Sequence, residues 1–530
     1  MAEDDPERKM EFFSEENKQK REAIGEGIYL LYFAVMIGAR AAGLYEGMRA
    51  YNILLVLGLM LFACKMLLTT RGLKEWLVAA GLMLVAGLVY ISTGEKGLIV
   101  CFSMLLGMKK VSVKKVISVG ILVSGILIIG KILLGITGIA PEIYYPQERE
   151  GVGLMFRHAL GYAHPNTLHM NVLMLSMLVM FFVSKYIAKK NFKLLLVFSL
   201  LVLGFNIYVF QYSGSRTGVL ACLVYLVVNL WFSLKKYPGI LEKAVCYISY
   251  PGVCFIAILG PFILPDSIFA TIDQKVFTTR FTIARYFWEN NHISLLGIRL
   301  NNPNPRYQTY GIDMAQLYLF LQLGLVAFVV ISFITVFFIH ESLKKGYMQE
   351  LAALMGMLCL GIWEPLLYNL GFKNFTYVFM GALLYELLGE KVEDEARDIS
   401  DRAAVRITGT VFRSLAAGIA AGIAIFFGVM LLTSAPTALY GDRQQDETGK
   451  TFDMEEVYLT ADEVTELRSQ GDIIVGYVNG ETPMYKYSSE IAEMEYGKRN
   501  LSAAVWIGVL VAALYGMCYT IWEKFPRRSN

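Results

Sequence analysis

About fourteen stretches of this chain are apolar over close to 20 residues, the length an α-helix needs to cross the hydrocarbon core of a bilayer. They fall near 24–44, 51–69, 74–92, 97–108, 115–138, 166–187, 192–211, 216–234, 244–264, 314–339, 351–369, 374–389, 411–433 and 501–522. The block at 97–108 is short, and either tilts or merges with its neighbour. Hydrophobic residues make up 56% of the chain, above the roughly 45–50% of ordinary soluble domains. No alternating pattern of barrel type is evident, so helices are the spanning elements. The expected fold is an all-α polytopic membrane protein with about 14 transmembrane helices.

Lysine and arginine set the expected orientation. Lys65, Arg71 and Lys74 lie between spans two and three, and Lys109, Lys110, Lys114 and Lys115 follow span four. Lys185, Lys189, Lys190 and Lys193 follow span six, and Lys235, Lys236 and Lys243 follow span eight. Lys344 and Lys345 follow span ten, Arg397, Arg402 and Arg406 follow span twelve, and Lys524, Arg527 and Arg528 close the chain. Every second loop is basic, which predicts a multi-pass protein with these loops and both termini in the cytoplasm. Residues 1–23 read as a cytoplasmic tail, charged over too long a run for a signal peptide.

The opposite face carries the loops 139–165, 212–215, 265–313 and 434–500. Long loops between packed elements are usually functional or disordered. The loop 139–165 holds Arg149 and Arg157; the loop 265–313 holds Arg280, Arg285, Arg299 and Arg306. Residues 281–288 read as an amphipathic interfacial helix. Residues 391–433 form a further cytoplasmic loop and span, and 501–530 the last span with a basic tail. Between them, 434–500 holds 14 Asp/Glu against 6 Lys/Arg. A capped helix start at Thr460–Val464 and a hairpin around Asn479-Gly480 predict a small extracytoplasmic α+β module there. No internal repeat is visible, unlike many transporters.

Three of the five histidines lie in one stretch, Arg157-His158-Ala159-Leu160-Gly161-Tyr162-Ala163-His164-Pro165-Asn166-Thr167-Leu168-His169. Pro165 suits the first turn of a helix, whose free N–H groups and dipole favour an anion. Arg157 adds a planar fork able to grip two phosphate oxygens. Asn166 and His169 share a helix face about one turn inside the interface. Ser215 and Arg216 lie in the small-residue turn Ser213–Gly218, and Asp313, Gln316 and Tyr318 open the block at 314–339. Any one arginine here can equally be a snorkelling anchor. Several on one face, beneath long loops, suit a lipid-linked anion such as pyrophosphate. Glu364 and Glu386 lie within or near apolar blocks, where carboxylates usually face the bundle interior. Seven scattered cysteines without a CxxC pair, and the lack of clustered carboxylates, predict no metal site and no cofactor.

These residues resemble a family. Arg157-x-x-Leu160-Gly161-x-x-His164-Pro165-Asn166 resembles the signature of membrane polymerases that build surface polysaccharides. Ser215-Arg216-Thr217-Gly218 resembles the Ser-Arg-x-Gly motif of the O-antigen polymerase and ligase superfamily. The run from Gln316 to Gly324 is similar to the segment after that family's largest external loop. The resemblance covers roughly 24–390 and leaves 434–500 and the last span outside it. It implies a metal-independent glycosyltransferase of GT-C-like multi-span architecture in the bacterial cytoplasmic membrane. Its substrates would be a polyprenyl-pyrophosphate-linked oligosaccharide donor and acceptor, with membrane lipid around it, no nucleic acid, and a chain-length regulator left open as a partner. It further implies that Arg157, Arg216 and Arg280, with Arg285 beside them, hold the pyrophosphate; Arg306 of the same external loop is a candidate substrate contact. His158, His164 and Asp313 are then the candidate bases, and Asn166, His169, Ser215, Gln316 and Tyr318 line the substrate. Ligases of the superfamily are expected to carry a histidine where this chain has Asp313-Met314, which favours a polymerase. A ligase-type transfer and a lipid-linked oligosaccharide flippase stand as alternatives.

Overall fold

The fold was taken from a computed structural model of the chain. It describes residues 15–136, 139, 144–149, 153–188, 191–235, 237–307, 310–369, 371–390, 401–434, 439–441, 473–478, 482–487 and 489–524. The helices are α1 (Glu15–Ala41), α2 (Arg49–Leu68), α3 (Leu73–Thr93), α4 (Gly97–Leu106), α5 (Val113–Ile136), α6 (Pro165–Ile187), α7 (Phe192–Ser213), α8 (Arg216–Ser233) and α9 (Ile240–Ile263). Then come α10 (Asp266–Ile272), α11 (Arg280–Asn290), α12 (Leu325–Lys345), α13 (Met348–Leu360), α14 (Thr376–Leu387), α15 (Asp401–Leu432) and α16 (Ser489–Lys524). Among the described residues, 11 helices are long and apolar enough to cross a membrane. The chain is an all-α, multi-pass membrane protein.

Three expected spans are shorter. α4, α13 and α14 run 10, 13 and 12 residues. At 1.5 Å per residue they reach about 15–20 Å, well short of a hydrocarbon core of about 30 Å. They are also buried on nearly every side, as a helix that is apolar all round must be. Backbone packs directly on backbone there: a Cβ on Gly97 would lie 2.1 Å from the Tyr368 carbonyl oxygen, and one on Gly381 would lie 2.2 Å from that of Leu105.

The block read as a span from 314 starts later. Ala315–Leu317 is a single helical turn, Tyr318–Gln322 a π-turn, and the spanning helix α12 begins at Leu325. Gly324 breaks the run with φ +92°, and its backbone meets that of Gly297 too closely for any side chain.

The chain forms two compact units. Unit 1 comprises 1–128, 171–206 and 216–398; unit 2 comprises 129–170, 207–215 and 399–530. The segment 24–390 is thus divided, with two of its pieces grouped with the C-terminal part.

In unit 1 the basic loops converge. Lys109 pairs with Glu75 at 2.7 Å and with Glu390 at 3.3 Å; Lys110 also pairs with Glu390. Lys65 donates to the Lys109 carbonyl at 2.8 Å, and Lys115 pairs with Glu26. One turn from Glu390, Glu386 takes Lys345, while Lys185 pairs with Glu350. Loops after expected spans two, four, six, ten and twelve therefore share one end of unit 1. α3, 21 residues or about 31 Å long, carries Glu75 in its first turn at that end and closes with Thr93 at the other. There the loops after spans one, three and nine gather: Lys96 pairs with Glu46, Ser92 donates to the Gly297 carbonyl, and Glu95 accepts from Tyr318 and Gln322.

Unit 2 holds two small antiparallel elements. β1 (Tyr144–Arg149) pairs with β2 (Gly153–His158), with Tyr145 opposite Arg157 and Tyr144 opposite His158. This hairpin lies in a segment read from sequence only as a loop. β3 (Leu439–Gly441), β4 (Ile473–Val478) and β5 (Thr482–Tyr487) form a sheet in the order β3-β5-β4, so the hairpin expected around Asn479-Gly480 is present. The helix start expected at Thr460–Val464 lies outside the described residues. α15 and α16 pack through small residues, Gly418 on the Gly508 backbone and Gly422 on that of Ala504, as membrane helices do.

Candidate functional site

Unit 1 gathers five charged residues at the end away from its basic network. Arg280 opens α11. Its Nε donates to the Trp363 carbonyl at 2.6 Å and lies 3.5 Å from the Asp313 carboxylate. Its Nη2 reaches Glu364 at 3.4 Å. The aromatic floor is firm: Phe277 stacks on Phe281 at 3.7 Å and on Trp363, whose indole N–H donates to the Val276 carbonyl. Arg280 is thereby oriented by a backbone carbonyl before either carboxylate acts on it. Asp313 is half-buried, with 39% of its side-chain area exposed. Partial desolvation raises its carboxyl pKa against the pull of Arg280.

Behind this trio lie two cations without a carboxylate of their own. Lys373, between α13 and α14, is 6% exposed, and its ammonium makes no hydrogen bond or ion pair among the described residues. Burial first, and then the Arg40 charge, push its pKa down to about 7, with Glu364 pulling the other way. Arg40, near the end of α1, gives Nη1 to the Leu44 carbonyl and lies over the Tyr51 ring, but its Nε is buried without a partner. The carboxylates acting on these cations are Glu364 for Lys373 and Arg280, Asp313 for Arg280, and Glu46 for Arg40, the last already paired with Lys96. A buried cluster with surplus positive charge is costly alone and favourable with an anion in it. Sequence reading passed over Arg40, although an arginine inside an apolar block is itself a signal.

The other expected residues of unit 1 divide by partner. Arg216 begins α8 exposed, with no hydrogen bond or ion pair among the described residues, and is available to a ligand. Arg285 donates twice to the Pro261 carbonyl and stacks 4.0 Å from the Phe269 ring, a packing role. Tyr318 donates to Glu95 and helps join two loops. Gln316 is fully buried with its amide unpaired among the described residues. Arg306 sits in a short turn, Pro305–Tyr307, and its side chain lies outside the described residues.

Unit 2 brings together the first histidine motif. Arg157 donates from Nε to the Ser213 carbonyl at 2.7 Å and from Nη2 to Asn166 Oδ1 at 2.5 Å. His164 caps α6, its Nδ1 accepting the Asn166 N–H at 3.1 Å. Burial and then the Arg157 charge push His164 down to about 4, so it is neutral at neutral pH, as an N–H acceptor must be. His169 is buried with Nδ1 2.9 Å from Ser213 Oγ, which also accepts from the Ser215 N–H. His158 is buried with Nε2 2.5 Å from Glu495 of α16. Gly161 closes the loop with φ +81°; a Cβ there would lie 2.8 Å from the Lys131 carbonyl oxygen.

Compared with protein-family models, curated proteins and solved structures, the chain matches none.

Proposed function

We propose that this protein is a membrane glycosyltransferase of GT-C-like architecture that polymerises polyprenyl-pyrophosphate-linked oligosaccharide repeat units on the outer face of the bacterial cytoplasmic membrane. The observation that carries the reading is the unit 1 cluster: an oriented arginine between two carboxylates, backed by two buried cations. Pyrophosphate supplies the negative charge that Arg40, Lys373 and Arg280 lack. In the reaction, the acceptor hydroxyl attacks the anomeric carbon of the donor glycan. The C–O bond to pyrophosphate breaks, the carrier pyrophosphate leaves with the electron pair, and the hydroxyl proton passes to Asp313. Its raised pKa makes it a stronger base than an ordinary aspartate. The cations stabilise charge growing on the leaving group. Arg216, exposed and with no side-chain partner among the described residues, would grip a second phosphate. Proton transfer to His164 is disfavoured, because its pKa is low and its Nδ1 already accepts a backbone N–H.

The charged clusters of unit 1 lie at helix ends and loops, which supports a transferase over a flippase with charges at midplane depth. The test is reconstitution with one defined polyprenyl-pyrophosphate repeat unit, followed by product sizing. A ladder of longer chains that disappears with Asp313→Asn is the expected result. A full ladder from Asp313→Asn removes the base from this mechanism. Transfer of lipid-linked sugar across the bilayer without elongation favours the flippase.

A further inference from the structure

The segment after residue 399 lies outside the family resemblance, yet it belongs to the same compact unit as the Arg157 loop. Its last helix reaches that loop directly. His158 Nε2 and Glu495 Oε2 are 2.5 Å apart, with 7% and 5% of their side chains exposed. Lys498, one turn on, holds the other Glu495 oxygen at 2.7 Å. Below the pair, the His158 ring meets Tyr212 edge-on at 5.4 Å, and Tyr212 packs against Tyr208 at 5.3 Å. Tyr208 in turn bonds Ser502 at 2.9 Å and packs edge-on to Trp506, both on α16. α16 is itself fixed, by its small-residue contact with α15 and by the Tyr496 hydroxyl bonded to Thr433.

A dry carboxylate–imidazole contact is an expensive way to hold a helix in place. Apolar side chains of the same volume do it as well or better, and a buried ion pair is best attested where it fixes one arrangement. What His158 fixes is its neighbour. Arg157 follows the same strand and spends two donors on Ser213 and Asn166, so the loop is pinned on both sides of the guanidinium. We infer that Glu495 is a positioning residue: clamping His158, it sets the Arg157 loop, so that the C-terminal helix completes this part of the protein. The inference rests on the glycosyltransferase reading only for its effect on turnover; the clamp itself is testable without it.

His158 is faced by Glu495 of α16, which Lys498 holds in turn, and by Tyr212 of α7; on its own loop Arg157 adjoins it in the chain, and the Arg157 charge acts on His164. The experiment uses full-length protein in nanodiscs with ¹⁵N-labelled histidine. His158 is assigned by loss of its signal in His158→Gln. In Glu495→Gln, which keeps the shape and removes the charge, the His158 titration midpoint is expected to fall by about one pH unit or more, with the His164 signal unmoved. An unchanged His158 midpoint overturns the inference. Polymerisation of the lipid-linked repeat unit is followed in parallel. Glu495→Gln is expected to raise KM about tenfold with kcat less affected, and Glu495→Asp to recover part of it, the pattern of a misplaced Arg157. Equal losses in Glu495→Gln and Glu495→Asp, with normal His158 titration, mark a merely structural carboxylate and also overturn it. If no protein, wild type included, elongates the repeat unit while the midpoint still shifts, the polymerase reading fails and the clamp stands.

Discussion

Replacing Lys373 with Met removes one charge from the unit 1 cluster and keeps the length of the side chain. The lysine is buried, and its pKa falls from 10.5 to about 7, burial being the larger cause and Arg40 the second. At about 1.4 kcal/mol per pH unit, holding it charged in the fold costs roughly 5 kcal/mol, an order-of-magnitude figure. The sign of the pH dependence follows. Between pH 7 and 10.5 the unfolded chain binds more protons at this position than the folded one, so stability rises with pH across that window. Below pH 7 both states are protonated and the slope vanishes. From pH 7 to 9 the wild type should therefore gain about 2 kcal/mol that Lys373→Met does not, and the variant should be the more stable protein at pH 7. Thermal unfolding in detergent at pH 6, 7, 8 and 9 reads the difference directly. Inorganic pyrophosphate supplies the second arm. It should raise the wild-type midpoint at pH 7 and bind Lys373→Met about tenfold or more weakly, the loss of one charged hydrogen-bonding partner. Parallel pH curves for the two proteins, or equal stabilisation by pyrophosphate, would refute the reasoning.

Three further outcomes are expected. Arg216→Ala should abolish elongation of the lipid-linked repeat unit. Arg216→Lys should recover only part of it, since an ammonium lacks the planar fork; full activity in the lysine variant would remove the bidentate contact. Gly161→Ala forces a side chain onto φ +81° and within 2.8 Å of the Lys131 carbonyl, and should lower stability by about 1–3 kcal/mol in thermal unfolding; a neutral result would show that the loop can move. Glu75→Gln strips Lys109 of its closest carboxylate and leaves Glu390 at 3.3 Å; a loss of about 1–3 kcal/mol is expected, short of the roughly 3–5 kcal/mol for a fully orphaned buried charge.

The spanning helices were legible in the sequence because a bilayer imposes its thickness on composition. Of the expected blocks, those that became α4, α13 and α14 are apolar for another reason: protein surrounds them instead of lipid, and apolarity alone does not tell the two environments apart. The late start of α12 was hidden for a similar reason. Residues 314–324 are as apolar as a span, but the contact of Gly324 with Gly297 is long-range, and nothing local marks it. The β1–β2 hairpin was missed because its strand register depends on partner pairing, and its sequence offers prolines and charges in place of alternation.

Charged residues divide along the same line. Pattern reading collected the arginines of one face and treated them as equals. What separates them is partners. Arg285 is spent on the Pro261 carbonyl and the Phe269 ring, Arg157 is committed to Ser213 and Asn166, and the exposed Arg216 side chain has no partner among the described residues. Arg40 and Lys373 sit 333 positions apart in the chain and Glu495 lies 337 from His158, so no motif contains either relation. A chain that buries Arg40 and Lys373 with no ion pair among the described residues accepts a standing cost in stability. On the proposed function that cost is recovered when the pyrophosphate enters. The same residues that weaken the empty protein are therefore those whose replacement should stabilise it and silence it together, an opposition that a purely structural ion cluster does not produce.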